Sequence, residues 1–175
     1  CDEYAGKYIA AFTGYSNDYD LRYHSASGGM VTQLLIWLLE KKIIDGAYVT
    51  EFEKDSAFKV HSFIATSKEE LIKAKGSKYA PVSLDRAIKE IKAAKGSRYV
   101  IVGIPCHIQG FRKYEKTDKK FREKIFGYFS IYCSSGRSFF FTEYIFKERR
   151  LDIEGTTYLA YRDNGCLGGL VVKGR

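Results

Sequence analysis

The chain has 175 residues, of which 45% are hydrophobic, with 14 Tyr and 12 Phe. This length and apolar content are sufficient for a folded core and exclude a disordered chain. Its 29 Lys and Arg outnumber its 21 Asp and Glu, giving a formal charge of +8 that favours anionic partners. The sequence has no nucleic-acid reader motif, no apolar run long enough for membrane insertion and no signal-peptide pattern. We therefore expect a cytoplasmic protein with no nucleic-acid partner, although charge alone leaves salt-sensitive nucleic-acid binding as the weakest alternative.

Strand and helix patterns alternate along the chain. Strands are predicted over residues 8–12, 46–50, 58–66, 99–102, 125–133, 156–162 and 169–173. Helices are predicted from the segment 25–29 to about 42, and over 67–75, 84–94, 107–114, 119–124 and 139–150. This order predicts an α/β fold with a mixed, largely parallel sheet and helices packed on it.

A cysteine, a histidine and a proline follow the most apolar predicted strand. Residues 99–102 read as a fully buried strand, and Pro105, Cys106 and His107 come directly after it. Ligands of open α/β sheets bind at the carboxyl ends of strands, which makes this turn a candidate site. Cys133 ends the next predicted strand, so both thiols are expected at one sheet edge. Each thiol is a candidate metal ligand or nucleophile, or simply a small buried residue.

Two further segments have the composition of a cofactor site. Ser25, Ser27, Gly28 and Gly29 open a predicted helix, whose free amides and positive dipole end can bind a phosphate. The simpler interpretation is N-capping of the helix by Ser25 or Ser27. Farther along the chain, the sequence Lys78-Tyr79 offers a cation for a phosphate and an aromatic face for a planar ring. A solvated lysine beside a packed tyrosine is the alternative there.

Taken in order, these segments resemble one protein family. Residues 25–46, 76–81 and 103–110, the strand ending at Cys133 and the weaker element Tyr161-Arg162-Asp163 are similar to the motifs of the coenzyme F420 hydrogenase/dehydrogenase beta subunit family. The resemblance covers about residues 7–165. It departs from the family pattern at His107, where a Gln is usual, and in the absence of a downstream CxxC from these residues.

The resemblance implies a flavin- and iron–sulfur-dependent oxidoreductase subunit. Members of this kind hold FAD and a 4Fe–4S cluster, and transfer electrons or hydride between an iron–sulfur carrier and coenzyme F420 or another organic acceptor. Partner subunits or an electron-carrier protein are implied with it. By the same resemblance, the cofactor-binding residues are Ser25, Ser27, Gly28, Gly29, Lys78, Tyr79, Pro105 and His107, and the metal ligands are Cys106 and Cys133.

Domain organisation and activity follow as expectations. Residues 1–175 are expected to form a single α/β domain, with 155–175 beginning a further C-terminal segment. The chain starts without Met and ends within a strand-like segment, so we expect a fragment of a longer redox protein that is inactive alone. The alternative is a non-catalytic partner-docking or regulatory domain that keeps the fold without cofactors.

Overall fold

The computed structural model describes residues 7–53, 56–138 and 140–174. Its helices are α1 (Tyr19–Tyr23), α2 (Met30–Glu40), α3 (Lys68–Lys73), α4 (Ala87–Ala93), α5 (Pro105–Tyr114), α6 (Lys119–Glu123) and α7 (Phe140–Glu148). Its strands are β1 (Gly46–Glu53), β2 (Ser56–Ala65), β3 (Tyr99–Gly103), β4 (Ile125–Ser130), β5 (Thr156–Asp163) and β6 (Gly169–Gly174). No helix of these ranges is long and apolar enough to cross a membrane.

A four-stranded sheet in the order β2-β1-β3-β4 forms the centre of the fold. Strand β1 runs parallel to β3, with Tyr48 opposite Ile101, and β3 runs parallel to β4, with Gly103 opposite Ser130. Strand β2 returns antiparallel along the outer side of β1. The predicted mixed, largely parallel α/β sheet is therefore confirmed.

Helices cover both faces of this sheet because successive strand residues point to opposite sides. In β3, Val100 packs on one face with residues of α1, α2 and α3, while Tyr99 and Ile101 pack on the other with α4, α5 and α6. All three side chains are almost fully buried, as expected for a central parallel strand. The result is three layers with the sheet in the middle.

Strands β5 and β6 form a separate antiparallel hairpin beside this unit. Its inward residues Leu159 and Tyr161 pack with Phe146 of α7 in a third cluster. Phe52, at the carboxyl end of β1, also packs against this cluster. The hairpin is therefore held at the edge of the main sheet where the parallel strands end.

Three local predictions differ from the structure. No strand forms over residues 8–12: their side chains are exposed, and they pair with none of the strands in the described ranges. Helix α1 forms at residues 19–23, where the sequence predicted no element, and the Asp18 side chain caps it by accepting from the Leu21 N–H. Helix α2 begins after Gly29 with no side-chain cap, so neither Ser25 nor Ser27 is its N-cap.

Candidate functional site

The start of α2 lies at the carboxyl edge of the sheet. Residues 41–45 connect the end of α2 directly to the beginning of β1, so the helix runs back along the sheet against the strand direction. Its N-terminus therefore faces the edge where β1, β3 and β4 end. This is the edge at which open α/β folds bind ligands.

Residues 24–29, which we call the glycine loop, make a tight turn before α2. Gly28 and Gly29 have φ angles of +71° and +75°, a conformation that side-chain-bearing residues rarely adopt. A Cβ on Gly29 would lie 3.2 Å from the Ser25 Oγ and 3.3 Å from the Leu21 carbonyl oxygen. The loop therefore requires glycine there for both its conformation and its packing.

Ser25 is the unusual residue of this loop. Its side chain is 3% exposed, and within the described residues its Oγ is the buried side-chain atom that has no hydrogen-bond partner. Burying a hydroxyl without a partner is unfavourable by about 1–3 kcal/mol in proteins. Because the Oγ lies against the uncapped beginning of α2, a polar ligand bound there would satisfy it.

A second layer of contacts holds the glycine loop from behind. The Ser16 N–H donates to the Gly28 carbonyl at 2.7 Å, and the Ser16 hydroxyl donates to Gln33 Oε1 at 2.7 Å. Ser16 is fully buried. These bonds join the loop to the body of α2 and restrict its motion.

The β5–β6 hairpin contacts the same loop from a distant part of the sequence. Arg162 donates to the Ser27 Oγ at 3.2 Å, and His24 Nδ1 lies 2.8 Å from Asp163 Oδ1. The Gly165 N–H donates to the Tyr23 carbonyl at 2.7 Å. The tripeptide Tyr161-Arg162-Asp163 is thus brought against the glycine loop.

Asp163 is the centre of this contact. It is buried and also accepts from the Tyr158 hydroxyl at 2.8 Å and the Asn164 N–H at 2.7 Å. Burial alone raises its pKa, but the bonds from Asn164, Tyr158 and His24 together lower that pKa below the usual value. Asp163 is therefore a stable carboxylate at neutral pH.

Lys78 lies at the end of α3 with its ammonium group already bonded. Its Nζ donates to the carbonyls of Ala74, Lys75 and Gly76 at 2.5 to 3.1 Å. Burial lowers the pKa of Lys78 to about 8, while Glu51 acts in the opposite direction. The lysine expected to meet a phosphate therefore uses its three protons to cap a helix.

Tyr79 belongs to an aromatic cluster built on Tyr161. The Tyr79 ring centroid lies 5.0 Å from that of Tyr161, and Phe52 and Phe141 lie 6.2 and 6.4 Å from Tyr161. Tyr161 is buried, whereas Tyr79 is 36% exposed. Tyr79 is therefore held by a rigid neighbour and retains open aromatic surface.

The turns after β3 and β4 carry the predicted thiols. Cys106 and Cys133 each come three residues after one member of the Gly103–Ser130 pair, so they leave the sheet at the same level. Both side chains are exposed, which excludes the interpretation of two buried structural cysteines. In the parts of the chain that the structure describes, no group of three or more His, Cys, Asp or Glu could hold a metal ion.

Pro105 and His107 frame Cys106 at the beginning of α5. Pro105 is the first residue of the helix, a position that suits its fixed φ and missing N–H. His107 is partly buried, and burial lowers its pKa. We call Pro105, Cys106, His107 and Cys133 the cysteine edge.

The structure thus divides the predicted site residues into two groups at the same sheet edge. Ser27 and Tyr79 each contact the β5–β6 hairpin and are connected through it. The described residues show no hydrogen bond, ion pair or ring contact between the glycine loop and the cysteine edge. The hairpin residues Arg162 and Asp163, with His24, were missing from the predicted site. Only the weak Tyr161-Arg162-Asp163 similarity pointed to them.

Comparison with known proteins finds two matched regions along the chain. Residues 11–89 match the family model for the N-terminal region of the coenzyme F420 hydrogenase/dehydrogenase beta subunit, and residues 96–168 match the model for its C terminus. The chain belongs to this family. The two matched regions of this beta-subunit family member meet in a single sheet, since β1 lies in the first and β3 in the second.

Two individual relatives are named after coenzyme F420. The coenzyme F420 hydrogenase subunit beta of Methanosarcina barkeri is 31% identical over 113 residues, covering 64% of this chain and 38% of that protein. The coenzyme F420-dependent sulfite reductase of Methanocaldococcus jannaschii is 40% identical over 86 residues, covering 49% of this chain and 13% of that protein. The chain therefore spans well under half the length of these two relatives.

A solved structure supports the fold. A chain of the F420-reducing [NiFe] hydrogenase complex from Methanosarcina barkeri, studied with xenon, superposes with a TM-score of 0.73 at 21% sequence identity. The match covers 83% of this beta-subunit family member and 51% of that chain. The α/β architecture described above is therefore shared with a protein of that complex.

Proposed function

We propose that the chain is the flavin-binding part of an F420-linked oxidoreductase subunit. It binds FAD at the carboxyl edge of the sheet and transfers electrons or hydride between an iron–sulfur carrier and coenzyme F420 or another organic acceptor. A cytoplasmic location and partner subunits belong to the same proposal. Support comes from family membership and from the names of the relatives, a hydrogenase subunit and a sulfite reductase.

The observation that carries the proposal is the unsatisfied Ser25 hydroxyl beside the start of α2. An anionic phosphate oxygen would accept hydrogen bonds from this hydroxyl and from the free N–H groups of the first helical turn. The positive end of the helix would stabilise the charge. FAD contains a pyrophosphate, so the donors present suit it. We assign Ser25, Ser27, Gly28 and Gly29 to this phosphate contact.

Tyr79 is the proposed contact for a ring of the cofactor. Its exposed aromatic surface can stack on a planar ring, and its packing on Tyr161 fixes its orientation. Lys78 contributes positive charge nearby, since a phosphate that bonded it directly would displace one of its three carbonyl partners. When bound, FAD supplies the exchange between hydride and single electrons, while the protein binds and orients it.

The cysteine edge is proposed to supply two thiolate ligands for an iron–sulfur cluster. Exposure of Cys106 and Cys133 at the ends of neighbouring strands supports this assignment. A 4Fe–4S cluster needs four thiolates, and the described residues do not bring four together, so they do not by themselves form the complete site. Pro105 and His107 are assigned to cofactor contact beside it.

Flavin content after purification without oxygen tests the proposal. We expect a flavin absorbance band in the wild-type protein and a clear loss of bound flavin in Ser25→Ala. Ser97→Ala is the matched control, because Ser97 lies at the opposite sheet edge and its side chain makes no described hydrogen bond. A wild-type protein that neither contains FAD nor retains added FAD would contradict the proposal and favour a docking or regulatory domain.

A further inference from the structure

A groove along α5 shares Pro105 with the proposed cofactor contacts but contains no residue of the glycine loop. It has a volume of about 470 Å³ and is lined along the helix by Pro105, Ile108, Gln109, Arg112, Lys113 and Lys116. Ser130, the last residue of β4, closes one side. Pockets for small molecules occupy a similar range of volume, roughly 300–1,000 Å³.

The groove has an apolar end and a cationic end. Its lining residues recur every three or four positions, so they share one face of the helix through successive turns. Pro105 and Ile108 form the apolar end, next to the carboxyl edge of the sheet where α5 begins. The cationic end begins at Arg112. At a rise of about 1.5 Å per residue, Pro105 and Lys113 are separated by roughly 12 Å along the axis.

The three cations have no partner of opposite charge among the described residues. Two surface cations elsewhere in the chain are paired: Lys92 with Asp118 at 2.5 Å, and Arg98 with Asp45 at 3.0 Å. Arg112 and Lys116 are instead four residues apart on one face, where like charges repel. Their grouping is unfavourable unless something negative binds there.

The nearest carboxylates in sequence are committed to other groups. Glu115 accepts from the Tyr128 hydroxyl at 2.8 Å. Asp118 accepts from Lys92 and from the Tyr114 hydroxyl, and these bonds with that of the Phe121 N–H lower its pKa well below the usual range. Asp118 is paired with Lys92, whereas Glu115 keeps its negative charge near Arg112. Three cations against this one carboxylate still leave an excess of positive charge at the groove.

We propose that this groove binds a small polyanionic ligand, whose phosphate or carboxylate groups pair with Arg112, Lys113 and Lys116. An apolar part of the ligand lies on exposed Pro105 and on the small part of Ile108, which is 8% exposed, that the core leaves uncovered. The Gln109 amide offers a hydrogen bond between the two ends. A small molecule is favoured over an acidic protein segment because the cations and the apolar wall share one concave surface about three helical turns long. The inference stands on these residues alone and does not require FAD at the glycine loop.

Calorimetric titration of the purified protein with pyrophosphate and with citrate, near 0.15 M salt, tests the inference. We expect one saturable site for at least one probe, weakened about tenfold or more in Arg112→Gln/Lys113→Gln/Lys116→Gln. The control Lys68→Gln/Lys147→Gln/Arg149→Gln removes the same charge from exposed positions outside the groove and is expected to bind within about twofold of wild type. All six side chains are exposed, so the folds of both variants should be unchanged.

Three results would overturn the inference. Equal binding in both triple variants would place the anion outside the groove: diffuse attraction to the net charge if both are weakened, or another site such as the glycine loop if neither is. No saturation by either probe up to about 10 mM would leave the groove without a small-anion site. Saturable binding of a ten-residue polyglutamate peptide, with neither small probe bound, would assign the surface to an acidic protein segment.

Discussion

The glycine loop and the cysteine edge lie at the same side of one sheet but are built in opposite ways. The glycine loop is held by Ser16 and Gln33 from within its own half of the chain and by Arg162 and Asp163 from the hairpin. The cysteine edge has exposed thiols on two turns, and no described side-chain hydrogen bond fixes them. One region is preorganised before any ligand arrives, whereas the other is open to further ligands or to a partner.

Asp163→Ala should have the largest effect, because it removes the link between hairpin and loop. The Tyr158 hydroxyl, the Asn164 N–H and His24 would lose a buried acceptor, which we expect to lower the free energy of unfolding by about 3 kcal/mol. Urea titration measures this change. Glu154→Ala, an exposed acid before the same strand, should change stability by less than about 0.5 kcal/mol. Equal effects would mean that the loop is not preorganised by the hairpin.

Gly29→Ala should lower the stability of the fold by an intermediate amount, whereas its control should raise it. At a φ of +75°, with Ser25 and Leu21 within 3.3 Å of the new Cβ, we expect a loss of about 1–2 kcal/mol and reduced flavin retention. Gly110→Ala lies inside α5 with open space around the Cβ, and should stabilise by about 0.5–1 kcal/mol. Thermal unfolding of both variants distinguishes these signs. A stabilised Gly29→Ala would show that the loop is less constrained than described.

The buried ammonium group of Lys78 should make the free energy of unfolding depend on pH. Its folded pKa of about 8 lies below the unfolded value of 10.5, so between those values the unfolded chain binds more protons. The penalty for burying its charge therefore applies fully below pH 8 and decreases as the pH rises toward 10.5. Relative to Lys78→Met, wild-type stability should rise by about 2 kcal/mol between pH 7.5 and 10. A constant difference in chemical denaturation across this range would contradict the low pKa.

The cysteine edge should show the smallest effect on stability and a large effect on thiol reactivity. Cys106→Ser and Cys133→Ser should each change the free energy of unfolding by less than about 0.5 kcal/mol, because both side chains are exposed. In the folded protein without a bound cluster, each substitution should remove one fast-reacting equivalent in a colorimetric thiol assay. Slow reaction of either thiol without denaturant would indicate that this edge is covered and not open.

Local patterns predicted most elements of the main sheet and little of the contact between the glycine loop and the β5–β6 hairpin. The apolar run of β3 identified a central strand, and Ser67 with Glu70 forms the capping box expected before α3. Both signals depend on neighbours in sequence. Residues 8–12 have the composition of a strand but no pairing partner, so propensity alone gave a wrong prediction there.

The glycine loop shows the same limit at the level of single residues. Ser27 was a reasonable cap by its spacing from α2, yet its hydroxyl instead accepts from Arg162, 135 positions away. Ser25 was predicted as a cofactor contact from its place before α2, but its burial without a partner depends on how Leu21 and Gly29 pack around it. Such contacts arise from tertiary packing, which no sequence window contains.

The inward face of β5 imposes a constraint on chain length. Leu159, Tyr161 and Asp163 alternate with outward residues, so one face carries both the aromatic support of Tyr79 and the carboxylate bound to His24. Inserting or deleting a single residue within this stretch would turn all three to the opposite face. Related chains should therefore tolerate gaps in the surface connection at 149–155, but not inside β5.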